Sequence, residues 1–182
     1  MNYAKLAFTD AVKKLQAQYG SRKNYEKMEQ YSSHQGLTLR EINMIETRDS
    51  FYLATIGANG FPYIQHRGGP SGFLKVLDPQ TLAFLDFSGN KQYITIGNLQ
   101  TNNKAALILV DYPKQLRLKL YAEAEVLPLS ERPGLVQKLK LAGYNYRSER
   151  VVIFHLKAFD WNCPQHITPR YTVEEIEQAF AS

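Results

Sequence analysis

The chain has one cysteine in 182 residues. That excludes an internal disulfide framework and a cysteine-rich metal centre. No uncharged apolar run is long enough to span a bilayer. The opening stretch MNYAKLAFTDAVKK lacks the apolar centre of a signal peptide, so a cytoplasmic protein is expected. Tryptophan occurs once, against 12 tyrosines and nine phenylalanines, a balance that suits strands. Acidic residues are the scarcer charge: 17 against 22 Lys and Arg, for a net charge of +5 and a pI near 9.2. The excess points to an anionic partner or to plain surface solvation. The basic residues are scattered, and no basic patch is interleaved with aromatics. A nucleic-acid partner is therefore not expected. With 44% hydrophobic residues the chain can build a real core. Its length fits one domain with terminal decorations.

Residues 1–36 read as an N-terminal helix and arm, and residues 37–182 as the main domain. Thr9 caps a helix through Tyr19 that places Val12, Leu15 and Tyr19 on one face. Arg22 to Gly36 is polar and carries little pattern, which predicts a mobile arm or a segment that wraps a partner. Thr38-Leu39-Arg40-Glu41 is a capping box that opens a short amphipathic helix with Ile42 and Ile45. Strands are then expected over Ser50–Ile56, Pro62–Arg67, Phe73–Leu77, Leu82–Phe87, Lys104–Val110, Leu116–Val126 and Val151–Phe159. Asn59-Gly60 turns the first hairpin. The glycines and proline of Gly68–Gly72 mark a sharp corner. Short helices are expected within Tyr93–Asn102, over Ser130–Leu141, and from the Thr172–Glu175 capping box to Phe180. The expected fold class is mainly β (α+β): a six-stranded antiparallel split β-barrel with flanking short helices.

Three segments carry candidate chemistry. Ser88-Gly89-Asn90-Lys91-Gln92 offers backbone N–H groups, amide and hydroxyl donors and an ammonium, just ahead of a helix N-terminus. Those are the groups a phosphate monoester needs. The same composition also makes an ordinary turn. Gln65-His66-Arg67 puts polar heads on both faces of a strand, so a ligand or a partner subunit should meet the inward set. A salt-bridged edge strand at a dimer contact is the rival reading. A bound flavin mononucleotide (FMN) would use both segments, with Asp86 and Phe87 next to the cradle. Asp86 can accept from a flavin ring N–H, orient a basic residue, or simply end the strand. The third segment, Asp160 to Arg170, holds Trp161, Cys163, His166 and Arg170 between two prolines and reads as a clamp over a ligand. Cys163 with His166 is too little for a metal centre or a thiol enzyme. Cys163 is expected as a small buried residue, and His155 as a satisfied histidine within an apolar strand. No metal site is expected.

These motifs resemble the pyridoxamine 5′-phosphate oxidase-related, flavin-nucleotide-binding proteins. The resemblance rests on Phe51 to Thr55, Pro62 to Phe73, Asp86 to Leu99, Arg117 to Lys119 and Asp160 to Arg170, and spans about Leu37 to Tyr171. It implies a split-barrel homodimer with one FMN in each of two clefts at the subunit interface. It implies Gln65, His66 and Arg67 along the ring and ribityl chain, and Asn90, Lys91 and Gln92, beside Ser88, near the phosphate. Trp161, His166 and Arg170 would reach the flavin from the other subunit. His166 is the best candidate for a catalytic acid or base. The sequence departs from the true oxidases in two places. Arg132-Pro133 lacks the following Ser-Gln, and the late Arg-Leu-His triplet is replaced by HITPR. The expected function is thus flavin hydride transfer on a substrate other than the vitamin phosphate, with a small molecule or NAD(P)H as partner. A non-catalytic flavin carrier or sensor is the alternative. A haem-binding split barrel, with His34, His66 or His166 as axial ligand, ranks below both.

Overall fold

Alternation and turn chemistry build the first hairpin. In β1 (Ser50–Ile56), Phe51, Leu53 and Thr55 point inward and are buried, while Tyr52 and Ile56 point outward. The turn runs over Gly57–Gly60, with Gly60 N donating to Gly57 O at 2.8 Å. Gly60 follows the turn at φ +82°, which glycine supplies without steric cost, while Asn59 keeps a negative φ. The chain returns as β2 (Pro62–Gly68), paired antiparallel from Ser50 with Gly68 to Ile56 with Pro62.

A computed structural model describes residues 1–181. Before the hairpin come α1 (Tyr3–Ala7), α2 (Asp10–Gln18), α3 (Arg22–Tyr31) and α4 (Leu39–Glu46). After it come β3 (Lys75–Asp78), β4 (Thr81–Phe87), α5 (Ile94–Thr101), β5 (Lys104–Asp111), β6 (Leu116–Pro128), α6 (Pro133–Leu139), β7 (Ser148–Trp161) and α7 (Val173–Ala181). Seven strands form one antiparallel sheet in the order β2-β1-β5-β6-β7-β4-β3. All seven segments expected as strands are strands, the third over Lys75–Asp78 where Phe73–Leu77 was expected, and this short β3 pairs with β4 at the edge beside the six longer strands. The two edge strands do not pair, so the curled sheet stays split.

The long strands β6 and β7 form the spine, paired from Leu118 with Trp161 to Pro128 with Arg150. Leu118, Leu120, Ala122 and Ala124 alternate inward, as their spacing predicts. Phe51, Phe84 and Phe154 meet at the centre of the core. Phe84 stacks on Phe154 with centroids 5.9 Å apart, and Phe51 meets Phe84 edge-on at 5.5 Å. No helix among the described residues is long and apolar enough to cross a membrane.

The N-terminal region departs from expectation. Arg22–Tyr31 is a helix, α3, and not an unpatterned arm. Polar links hold it: Glu29 receives Lys13 at 2.8 Å and also the Arg22 guanidinium, and Arg22 reaches Gln16 at 2.6 Å. Gln16 is the buried residue of α2, while Leu15 and Tyr19 of the expected apolar face are exposed. The docking is carried by ion pairs that hydrophobic spacing does not reveal.

Candidate functional site

Strand alternation sorts Gln65-His66-Arg67. Arg67 lies opposite the buried Phe51, and Gln65 lies opposite Leu53. Both therefore take the inner face at the open edge of the sheet. His66 lies opposite Tyr52 on the outer face, with the two rings edge-on at 5.5 Å.

The inner face of β2, the end of β4 and the start of α5 enclose a cavity of about 230 Å³. Gln65, Arg67, Asp86, Phe87, Asn90, Lys91 and Gln92 all line it. Helix α5 is tied to the strands behind it: Thr95 Oγ1 donates to Gln65 Oε1 at 2.8 Å, and Asn98 Nδ2 donates to Thr55 Oγ1 at 3.0 Å. The first-turn N–H groups of α5 have no partner within the helix and carry its positive end. Lys91 and Tyr93 are both left-handed, at φ +61° and +55°. Non-glycine residues adopt this conformation at a cost of about 1–2 kcal/mol each. Here it folds the loop against the helix start, with Gln92 N donating to Asn90 Oδ1 at 3.2 Å. Concavities of this kind gather backbone N–H groups around anions.

The charges are arranged in a chain. Arg67 Nη1 lies 2.8 Å from Asp86 Oδ1, and Arg150 Nε lies 3.5 Å from Asp86 Oδ2. Asp86 and Arg150 are direct cross-strand partners. Burial pushes the Asp86 carboxyl above its ordinary range despite the two guanidiniums. Glu149, which also lines the cavity, is held below the carboxylate range by the Ser88 hydroxyl, with Arg150 and Lys91 adding to the effect. Arg67 Nε is buried and has no hydrogen-bond partner among the described residues. Arg48 Nε, Arg117 Nε and Asn162 Oδ1 are in the same state elsewhere, but Arg67 alone of the four lines this cavity, where an acceptor from outside the chain can reach it.

The remaining predicted residues are not at this cavity. Ser88 sits beside it, with its N–H on Arg147 O at 2.8 Å. Trp161 ends β7, twelve positions beyond Glu149, on the order of 40 Å along an extended strand. Its Nε1 donates to Glu41 Oε1 at 2.6 Å, and the Arg40 guanidinium covers its ring at 4.2 Å. Burial alone would raise Glu41, but hydrogen bonds from Thr38 and Trp161 outweigh it and lower the carboxyl. The segment after Trp161 is pinned to the β5–β6 turn. Asn162 N donates to Arg117 O at 2.9 Å, Arg117 Nη2 donates to Cys163 O at 3.0 Å, and Gln115 Nε2 donates to Ile167 O at 2.6 Å. Arg170 lies over Tyr112 at 5.0 Å, and His166 is exposed at φ +63°.

One expectation is corrected. Cys163 is exposed, because it sits in this pinned loop outside the core. His155 is satisfied as expected: it sits on the exposed outer face of β7, with Nε2 3.1 Å from Glu125 Oε2. The lining residues missed in the sequence are Tyr63, Glu149 and the start of α5 with its cap, Tyr93 to Ile96. Tyr63 was accessible by parity with Gln65 and Arg67. Glu149 has no local signal, because its place depends on the pairing of β4 with β7.

The comparisons agree with this architecture. A candidate pyridoxamine 5′-phosphate oxidase from Lactobacillus delbrueckii is 26% identical, with a TM-score of 0.54 over 70% of this chain and 96% of that one. An FMN-binding protein from Syntrophomonas wolfei shares 15% identity and a TM-score of 0.51, over 81% of this chain and 97% of that one. HupZ of Group A Streptococcus shares 16% identity and a TM-score of 0.52, over 74% of this chain and 100% of that one. The last two speak for the fold alone. No curated protein matches the chain. The family model for pyridoxamine 5′-phosphate oxidase matches residues 38–146. That span runs from the Thr38 capping box, through the cavity-forming strands, to the loop before β7, and by it the chain belongs to the pyridoxamine 5′-phosphate oxidase family.

Proposed function

We propose that this chain binds FMN and works as a flavin-dependent, oxidoreductase-like homodimer. The observation that carries the reading is the cavity at the α5 N-terminus. It combines the Lys91 ammonium, a loop of backbone and amide donors, and an Arg67 Nε that lacks an acceptor. That donor set fits a phosphate monoester joined to a flat, hydrogen-bonding ring. In this reading Lys91, Asn90 and Gln92 hold the phosphate with the first turn of α5 and Ser88. Gln65 and Arg67 address the ring and ribityl chain, Phe87 closes the wall, and Asp86 aims Arg67. The bound flavin would supply hydride exchange at its N5.

The cavity volume supports a shared site. Small-molecule sites usually enclose ~300–1,000 Å³, and about 230 Å³ on one chain takes only part of a flavin mononucleotide. His66 on the outer face, and Trp161, His166 and Arg170 at the far end of β7, would then act on the cofactor of the partner. His166 is the candidate for moving a proton there. Oxidation of the vitamin phosphate is outside the proposal, because Arg132 caps α6 and pairs with Glu125 at 3.8 Å, with no Ser-Gln beside it. The same small volume leaves no separate substrate chamber within one chain, which favours a non-catalytic flavin carrier as the second reading. NADH or NADPH added without oxygen separates the two: steady bleaching of the flavin band supports an enzyme, and an unchanged spectrum supports a carrier.

The binding claim is tested by titrating apoprotein with FMN and with riboflavin. Tighter binding of FMN by about tenfold or more, about 1.4 kcal/mol, is expected from a phosphate cradle. Equal affinities would remove the Lys91 loop from the account.

A further inference from the structure

The C-terminal helix α7 displays Val173, Ile176 and Phe180, which are 66%, 46% and 89% exposed. On a helical wheel the three fall within an arc of about 60°. Glu174 and Glu177 flank this stripe on one side, and the helix contains no Lys or Arg. A nine-residue helix is marginal in water without a surface to bury its apolar stripe. Its root is held at the β5–β6 turn by the Arg117, Gln115 and Tyr112 contacts. Within its own chain the stripe therefore stays open.

A matching surface lies on the outer face of β1, β5 and β6. Ala54 pairs with Ala106, and Ala106 pairs with Tyr121. Two alanines side by side leave a low floor between taller walls. Leu6 of α1 and Ile56 stand on either side. Two adjoining cavities, of about 390 and 200 Å³, share Ala54, Ala106 and Tyr121. Together they make one apolar trough. Lys104, Lys119 and Lys157 line it; Lys157 pairs with Glu123 at 2.7 Å and Lys119 with Asp160 at 3.3 Å, so the uncompensated charge of the rim is that of Lys104. The trough is thus apolar with a basic rim, and α7 is apolar with an acidic flank. The two are complementary in shape, polarity and charge sign.

We propose that α7 of a second copy docks in this trough, so that two chains exchange C-terminal helices. The inference rests on the homodimer reading above and adds to it a named contact. Val173, Ile176 and Phe180 cover the alanine floor, while Glu174 and Glu177 meet the lysine rim. The exchange also anchors the Asp160–Arg170 segment of each chain on the other, through the helix that follows it.

The test is cysteine cross-linking of the full chain, with Cys163 replaced by Ser. Ala54→Cys and Ile176→Cys are combined, and mild oxidation with oxidised glutathione joins thiols that are in contact. Oligomeric state is measured on the same sample by sedimentation. A control pairs Ala54→Cys with Leu15→Cys, an exposed position on α2. A covalent dimer from the Ile176 pair and none from the control is expected. A cross-linked monomer would show docking within one chain and overturn the exchange. A sedimenting dimer with no cross-link would overturn it too, while leaving the homodimer intact. A monomer by sedimentation would overturn both. As an independent readout, Phe180→Asp is expected to weaken dimerisation at least tenfold without changing monomer folding, since the side chain is exposed. An unchanged dimer affinity would contradict the proposal.

Discussion

Arg67 shows how much one residue's parity decides. It lies on the same face as Phe51, so its guanidinium turns inward, meets Asp86 at 2.8 Å and leaves Nε without a partner. Its neighbour His66 is sent outward by the same rule. That division was legible in the sequence by counting along the strand. The company Arg67 keeps was not, because Asp86, Glu149 and Arg150 arrive from β4 and β7. Cys163 was misjudged for a related reason. Residue type suggested burial, but a loop pinned by contacts distant in sequence exposed it. Lys91→Ala is expected to weaken FMN binding by about 1–2 kcal/mol, the scale of a charge-assisted hydrogen bond. Flavin-fluorescence titration measures it, and unchanged affinity would sink the assignment. Asp86→Ala leaves two largely buried guanidiniums without their shared carboxylate, at a cost of about 3 kcal/mol or more. Denaturant unfolding of the apoprotein checks this, and a loss below about 1 kcal/mol would show that the pair behaves like a surface contact.

At the scale of elements, local chemistry was the readable part. The Thr38 box forms as expected, with Glu41 Oε2 accepting from Thr38 N at 2.9 Å, and the Thr172 box repeats it with Glu175. The long strands declare themselves by alternation. Helix α2 forms behind its Thr9 cap as expected, but α3 was not legible, because Glu29, Lys13 and Arg22 fasten it by charge. Glu41 joins the two ends of the family-like region, since it caps α4 and holds Trp161. Its native carboxyl is lowered, so it stays ionised to more acid pH in the folded chain than in the unfolded one. The unfolded state binds more protons between the two values, and stability therefore rises with pH there. The contribution is present above the ordinary glutamate value of 4.5 and is lost as pH falls through the lowered native value. Glu41→Gln should flatten the loss of melting temperature below about pH 4.5. Trp161 is the only tryptophan, so its emission reports the same contact directly. Wild-type emission should shift with acid while the fold persists, and the Gln variant should show no such step. An identical acid profile for the two proteins would contradict the role of Glu41.

At the scale of the molecule, the split sheet holds the predicted site residues apart. The cradle lies at the β2 edge, and the Trp161–Arg170 segment lies at the far end of the β7 spine. They do not meet within one chain; the homodimer proposed above would bring them together. The sequence motifs marked both ends of this arrangement, while their separation became visible only in the strand pairing. The core that holds the ends apart should be rigid. Phe154→Ala, at a site with no exposed surface, is expected to cost about 3–5 kcal/mol. A loss under about 1 kcal/mol in equilibrium unfolding would show that the phenylalanine cluster is not the centre of the fold. The central claim is that the cradle holds FMN. The most direct test is the visible spectrum of the protein purified without added cofactor, followed by FMN addition and mass analysis of any chromophore released by heat. Flavin bands, with a released species of the mass of FMN, are the predicted result. A colourless protein that also fails to take up added FMN would contradict the account.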